Sequence, residues 1–199
     1  MLLPILMSSI GAFYIHQAQE ARIKENMKEI QASAIDTTLI RDNLEQAQAF
    51  VKGAAIHRPT KGEQYAVIRV KRIEFEKDLY MGDDSAQLDA GIGQYIYSGL
   101  PGEGKPLLLA GHNGTQFYKL HEVEKGDLVE ITTEYGTYTY RVTHMEIQNA
   151  DDFDTNKLNE EKEYLIMYTC YPFHIINTPQ RYFVYAEFVS GPKIVGNIS

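Results

Sequence analysis

Most of the chain beyond Gly62 is a succession of short segments in which apolar and polar residues alternate. The clearest is Tyr65–Ile73 (YAVIRVKRI), which has the pattern of a strand with one buried face. Helical signal in this part is limited to Asp84–Ala90 and a turn near Phe117–Leu120. Five further runs resemble strands, and the pair flanking Tyr135-Gly136 is spaced as a hairpin: Pro106–Ala110, Asp127–Thr132, Thr137–Val142, Tyr164–Thr169 and Arg181–Val189. Many short strands with few helices predict a mostly-β barrel or sandwich.

The part of the chain before this β-rich region has a different character. Residues 1–15 carry no charged side chain, but as a helix they reach only about 22 Å, against roughly 30 Å for a hydrocarbon core. We interpret them as a partial membrane anchor, with a buried N-terminal helix as the alternative. Residues 16–62 are polar, and a narrow apolar stripe at helical spacing predicts a helical stalk or linker. A β-rich domain then covers residues 63–192.

The charge balance limits the partners of this chain. It has 19 Lys and Arg against 27 Asp and Glu, for a net charge of −8. This argues against nucleic-acid binding, which needs a basic face to neutralise phosphates, and against polybasic attachment to anionic lipids. The acidic stretch Asn149–Glu163 is interpreted as a long surface loop. Its spacing matches no EF-hand, so no metal site is predicted.

The single cysteine, Cys170, follows the apolar strand-like run Tyr164–Thr169. One cysteine can form neither an intrachain disulfide nor a cysteine-based zinc site. A small buried hydrophobe is one interpretation of it. The other is a nucleophile, because a strand end holds a thiol rigidly and leaves it accessible.

Two more residues favour the nucleophile. His112 follows the apolar strand Pro106–Ala110 between two glycines, and a histidine at a strand end can move a proton near neutral pH. Arg181 opens the last long strand, where a guanidinium can stabilise a thiolate or an oxyanion. Together they form a coherent set for acyl transfer.

These residues resemble the sortases of Gram-positive bacteria. Ile166-Met167-Tyr168-Thr169-Cys170 is similar to the family's TLxTC motif, with Ile and Met in place of Thr and Leu. Ala110-Gly111-His112 resembles the sortase histidine element, and Thr178–Val184 resembles the arginine strand. The similarity covers roughly Tyr65–Val189 and is greatest to class D, with class B as the alternative.

The resemblance implies an eight-stranded sortase-type β-barrel with short helices. Cys170 would attack the Thr carbonyl of an LPxTG-like sorting signal, His112 would move protons, and Arg181 would hold the signal or the oxyanion. An amine of a cell-wall precursor or pilin would resolve the thioacyl enzyme, on the extracellular face of a Gram-positive plasma membrane. No cofactor is needed. Four further residues are substrate-contact candidates: Asn113, Thr169, Tyr171 and His174.

Two other functions compete with this one. An L,D-transpeptidase-like wall enzyme also places a catalytic cysteine after a histidine, but that family needs a Gly before the cysteine and a close arginine, and Thr169-Cys170-Tyr171-Pro172 has neither. The second alternative is a non-catalytic β-rich surface interaction module, in which Cys170 would be a core residue.

Overall fold

The computed structural model describes residues 50–173, 175 and 178–198, which form ten strands, one helix and five short 3₁₀ segments. The predicted anchor and most of the predicted stalk lie outside the described residues. The helix α1 is Ser85–Ala90, as predicted. The strands are β1 Phe50–Lys52, β2 Gln64–Val70, β3 Phe75–Met81, β4 Ile92–Gln94, β5 Leu107–Ala110, β6 Leu128–Thr133, β7 Gly136–Asn149, β8 Tyr164–Tyr171, β9 Gln180–Ser190 and β10 Lys193–Val195.

Eight of these strands close into a barrel in the order β2-β3-β4-β5-β8-β9-β7-β6. The β3–β4 and β5–β8 pairs are parallel, and the other neighbours are antiparallel. This confirms the predicted mostly-β, eight-stranded barrel. Alternate side chains from each strand fill the interior, and several are fully buried: Ile68, Leu79, Ile131, Leu165 and Val184. Removing this apolar surface from water is the main stabilising term of the domain.

Three local predictions need correction. The strand predicted over Tyr65–Ile73 ends at Val70, and Lys71–Ile73 form a 3₁₀ turn closed by Glu74 in a left-handed conformation (φ 49°). The strands β3 and β4 were not predicted from alternation, because β3 carries charged residues and β4 has only three residues. The hairpin of β6 and β7 is present, but β7 extends to Asn149.

The end of the predicted helical stalk is also different. Phe50–Lys52 form β1, which pairs in parallel with β10 in a separate two-stranded sheet. The backbone of Gly53 packs so closely on the chain after β10 that a Cβ at Gly53 would lie 2.6 Å from the carbonyl oxygen of Gly196. A helix over 50–52 would satisfy its backbone internally, whereas here these groups pair with the chain after the barrel.

The segment 149–163 is only partly the surface loop that was predicted. It contains two 3₁₀ turns, Ala150–Asp152 and Thr155–Asn159, and buries Leu158 against the outer face of the barrel. Its last residue, Glu163, is half-buried. The Glu163 carboxylate accepts hydrogen bonds from the backbone N–H groups of Gly102 (2.9 Å) and Gly104 (3.2 Å).

Glu163 lies at the end of the barrel where β8 begins, and we call this the tyrosine end. The hydroxyl of Tyr140 donates to the Glu163 carboxylate at 2.7 Å, and the hydroxyl of Tyr65 donates to Gln94. Burial raises the pKa of Glu163 above its ordinary value, although these hydrogen bonds lower it. The end is covered by β10, whose Ile194 N–H donates to Gly102 O at 2.9 Å.

Candidate active site

The three predicted catalytic residues lie together at the other end of the barrel. The parallel strands β5 and β8 both finish there, and the antiparallel strand β9 begins there. Cys170 is the second-to-last residue of β8, His112 follows β5 by two residues, and Arg181 is the second residue of β9. We call this the cysteine end.

Strand register places Cys170 directly opposite Arg181. Residues opposite each other in an antiparallel pair share a face, with Cβ atoms about 4.5–5.5 Å apart. That face is the outside of the barrel, because the alternate residues Leu165, Met167 and Val184 point into the core. The thiol of Cys170 is half-buried, so it remains open to a substrate.

The loop carrying His112 is attached to the strand carrying Cys170. Gly111 N–H donates to Tyr168 O at 3.2 Å, and His112 O accepts from Phe117 N–H at 2.9 Å. Gly111 is required by close packing, since a Cβ there would lie 2.6 Å from the ring of the buried Phe117. The His112 side chain itself is exposed (46%), and its Nε2 lies 3.6 Å from a carboxylate oxygen of Asp89.

Two predicted substrate-contact residues are instead buried on either side of the reactive groups. Thr169 is 1% exposed, and its hydroxyl donates to Gly111 O at 2.6 Å. Asn113 is 3% exposed, and its Nδ2 donates to the carbonyls of Cys170 (3.3 Å), Pro172 (3.3 Å) and Ile175 (2.9 Å). The Thr169 hydroxyl and the Asn113 amide nitrogen both bond to backbone carbonyls, so both side chains hold the backbone that carries His112 and Cys170.

Among the described residues, only one nitrogen of the Arg181 guanidinium is hydrogen-bonded, to the backbone at the start of β9. Its Nη1 donates to the carbonyls of Thr178 (2.6 Å) and Gln180 (2.9 Å). In the described part of the chain, no acceptor takes a hydrogen bond from its Nε or Nη2. The guanidinium is thus oriented by backbone and retains donors for a ligand.

A groove of about 250 Å³ runs along the outer face of the barrel to Arg181. Its floor consists of apolar and aromatic side chains from β5, β8 and β9: Leu108, Tyr168 and Phe183. Asp83 and Tyr95 form one wall, and the segment 149–163 contributes the other through Ala150, Phe153 and Thr155. An apolar groove with a few polar groups, ending beside a thiol and a guanidinium, fits an extended peptide.

Tyr168 lines the groove and lies on the same strand as Cys170. It lies two residues before Cys170 on the same face of β8, and the charges of Asp83 and Arg181 act on its pKa in opposite directions. Burial raises the pKa of Tyr168 to about 12. Its hydroxyl is therefore protonated at neutral pH. Nothing in the sequence points to Asp83 or Tyr168 as parts of this site, because only the folded barrel brings them into one groove.

The remaining candidates lie outside the groove or outside the described residues. Tyr171 contacts Phe173 edge to face, with ring centroids 5.7 Å apart, and does not line the groove. His174 is not among the described residues. Over the ranges that the structure describes, no three His, Cys, Asp or Glu side chains are grouped so that they could hold a metal ion.

Comparison with known proteins decides the family. The model of the Sortase domain matches residues 68–189. The chain is also 35% identical to Sortase D of Bacillus subtilis (strain 168) over 140 residues, which are 70% of this chain and 71% of that protein. The chain belongs to the sortase family. The resemblance to class D found in the sequence is confirmed by this relative.

Solved sortase structures share the fold. A Sortase D5 transpeptidase of Clostridium perfringens is 23% identical, with a TM-score of 0.58 over 66% of this chain and 82% of that chain. The catalytic domain of B. anthracis SrtD is 29% identical, with a TM-score of 0.55 over 66% of this chain and 90% of that chain. Sortases of other classes have the same fold, including SrtF of Corynebacterium diphtheriae, which is 22% identical with a TM-score of 0.59 over 66% of this chain and 87% of that chain.

Family membership selects among the three predicted functions. Sortases are transpeptidases that attach proteins carrying sorting signals to amines of the cell wall or of pilins, in Gram-positive bacteria. This sortase is therefore a transpeptidase, and neither the L,D-transpeptidase nor the non-catalytic module is supported. From Phe50 onward, the structure contains no helix of the length and apolarity needed to cross a bilayer.

Proposed function

We propose that this sortase cleaves an LPxTG-like sorting signal between Thr and Gly and transfers the acyl group to an amine through Cys170. The observation that carries the proposal is the arrangement at the cysteine end. Cys170 lies opposite Arg181 in the β8–β9 register, and the His112 loop is bonded to the same strand through Gly111 and Asn113. A nucleophile, a proton carrier and an oxyanion donor would then share one end of the barrel, and the last of them, Arg181, lines the groove.

The first half-reaction forms a thioester. The Cys170 thiolate attacks the carbonyl carbon of the signal's Thr, and the resulting oxyanion accepts a hydrogen bond from Arg181. The C–N bond to Gly then breaks, and protonated His112 gives its proton to the departing amine. The signal remains attached to Cys170 through a C–S bond.

The second half-reaction returns the enzyme to its starting state. The amine of a cell-wall precursor or of a pilin attacks the thioester carbonyl, and His112 accepts the proton that this nitrogen loses. A new amide bond forms, the C–S bond breaks, and Cys170 is again a thiolate. No cofactor enters this sequence. We further propose that residues 1–15 anchor the enzyme to the membrane and that the part of the predicted stalk before β1, residues 16–49, links this anchor to the domain.

The test is cleavage of fluorescent LPxTG-like peptides with an amine acceptor by the parent protein and by Cys170→Ala. We expect Cys170→Ala to lose at least about a thousandfold in kcat/KM. Its circular dichroism spectrum should match the parent's, because the substitution removes one half-buried sulfur. An exposed serine in α1 provides the matched control, and Ser85→Ala should cleave at the parent rate. Cleavage by Cys170→Ala within tenfold of the parent would overturn the proposed mechanism.

A further inference from the structure

The groove that ends at Arg181 carries one carboxylate, that of Asp83. Gly82, with φ +98°, turns the chain out of β3, and its N–H donates to Gln94 O at 2.8 Å. A side chain at Gly82 would be strained in this conformation, so the turn depends on glycine. The turn places Asp83 beside Tyr95, in the wall opposite the segment 149–163.

Asp83 and its neighbour Asp84 differ in their partners. The Asp84 carboxylate is 60% exposed and forms an ion pair with Lys61. Asp83 forms no ion pair within the ranges that the structure describes; its carboxylate accepts a hydrogen bond from its own backbone N–H, and Lys61 is the cation that acts on its pKa. Asp83 is half-buried in the groove wall. Burial raises the pKa of its carboxyl above the ordinary value. An acidic side chain in a binding groove that is not committed to an ion pair is available to a ligand that brings a cation.

The two charged residues that line the groove have opposite signs and lie at different places in it. Arg181 stands at the head of the groove beside Cys170, where a peptide carbonyl would be attacked. Asp83 stands along the wall, and the two charges act in opposite directions on the pKa of Tyr168 on the floor. The aromatic floor also suits the methylene stem of a long cationic side chain.

We propose that Asp83 determines specificity, favouring sorting signals that place a lysine or arginine side chain in this groove and disfavouring those that place an aspartate or glutamate there. The inference rests on the proposed function, because it assumes that the groove binds the sorting signal. It adds a preference of charge to that function and assigns the preference to one side chain.

The experiment measures peptide binding apart from turnover. A set of LPxTG-like peptides carries Lys, Gln or Glu at one position at a time on either side of the scissile bond. Dissociation constants are measured by fluorescence anisotropy on Cys170→Ala, which cannot turn the peptides over, and kcat/KM is measured on the parent. The same measurements are made with Asp83→Asn and with the control Asp84→Asn, each of which changes one oxygen to nitrogen.

We expect one position at which the Lys peptide binds at least about tenfold more tightly than the Glu peptide. In Asp83→Asn this ratio falls below about threefold, mainly because the Glu peptide gains affinity, and in Asp84→Asn it is unchanged. If the ratio is the same in Asp83→Asn as in the parent, or if no position distinguishes Lys from Glu, Asp83 is not the determinant, while cleavage by the parent still supports the proposed function. If no peptide binds or is cleaved, both proposals fail.

Discussion

The two ends of the barrel are built from the same strands but differ in how far their polar side chains are hydrogen-bonded within the protein. At the tyrosine end, the Glu163 carboxylate takes hydrogen bonds from two backbone N–H groups and from Tyr140, and β10 covers the loop that it holds. At the cysteine end, the His112 ring is exposed and part of the Arg181 guanidinium stays uncommitted. One end holds loops in place, and the other exposes the side chains that we propose to be catalytic.

The cysteine end nevertheless contains two buried, hydrogen-bonded side chains next to the proposed catalytic residues. Thr169 precedes Cys170 and bonds to Gly111, while Asn113 follows His112 and bonds to Cys170. Each reactive residue therefore stands beside a buried neighbour that ties its backbone to the other's. A site that must react without reorganising is expected to have this construction.

Substitution of Arg181 tests the difference between the two ends most strongly. Among the three positions Arg181, Asn113 and Glu163, we expect it to have the largest effect on turnover. Arg181→Ala should lose about 10²–10³ in kcat/KM, because an oxyanion donor is removed. Arg181→Lys keeps the charge but loses the planar fork, and it should lose at least about tenfold. Peptide cleavage assays give both values.

Arg141 in β7 is the matched control, because it pairs with Leu128 and Glu187 in the sheet, away from the cysteine end. Arg141→Lys should retain the parent's turnover. Equal kcat/KM for Arg181→Lys and the parent would make Arg181 a surface charge and remove the oxyanion donor from the mechanism.

Substitution of Asn113 tests whether catalysis needs the buried side chains that hold the backbone of the cysteine end. Asn113→Ala removes the donor to three carbonyls, so we expect kcat to fall about tenfold with KM changed less than threefold. The free energy of unfolding should fall by about 1–3 kcal/mol, since buried carbonyls lose their partner. Steady-state kinetics and urea unfolding measure the two effects.

The exposed Asn159 serves as the control, and Asn159→Ala should change neither kinetics nor stability. The rate at which a thiol probe labels Cys170 separates positioning from simple destabilisation, since it should change in Asn113→Ala under conditions where the protein is fully folded. A variant that is less stable but has the parent's kcat and labelling rate would show that Asn113 acts on the fold alone.

Glu163 should affect stability and leave catalysis unchanged. Because burial raises its pKa in the folded state, the folded protein binds this proton more tightly than the unfolded chain does. The free energy of unfolding should therefore fall as pH rises from the ordinary carboxyl range, near pH 4.3, towards the raised pKa, by at most about 1.4 kcal/mol per pH unit. Glu163→Gln should remove this contribution.

Thermal unfolding followed across pH 4–8 measures the effect, with Glu161→Gln as the exposed control that keeps the parent's slope. Peptide cleavage by Glu163→Gln should stay within twofold of the parent, because the two ends of the barrel are separate. A tenfold loss of turnover in Glu163→Gln would show that the ends are coupled.

The sequence predicted the strands with clear alternation or long apolar runs, and these include β8 and β9, which carry Cys170 and Arg181. Their proximity follows from an antiparallel pair, so the reactive set could be expected from sequence. It could not show β3, where Lys77 occupies a position between the buried Phe75 and Leu79 and weakens the alternation.

The burial of two predicted substrate contacts, Asn113 and Thr169, could not be predicted from the sequence. Their partners are backbone carbonyls that only the folded barrel brings within reach. In the same way, Glu163 belongs to an acidic run, and its burial depends on the distant loop containing Gly102.

The measurement that bears most directly on the account is the mass of the intact enzyme during turnover. The protein is mixed with an LPxTG-like peptide without an amine acceptor, quenched in acid, and analysed by mass spectrometry and peptide mapping. We expect a mass increase equal to the free peptide fragment that ends at Thr less one water, mapped to Cys170 and released by hydroxylamine. Cleavage with no adduct on Cys170, or an adduct on another residue, would contradict the thioacyl mechanism.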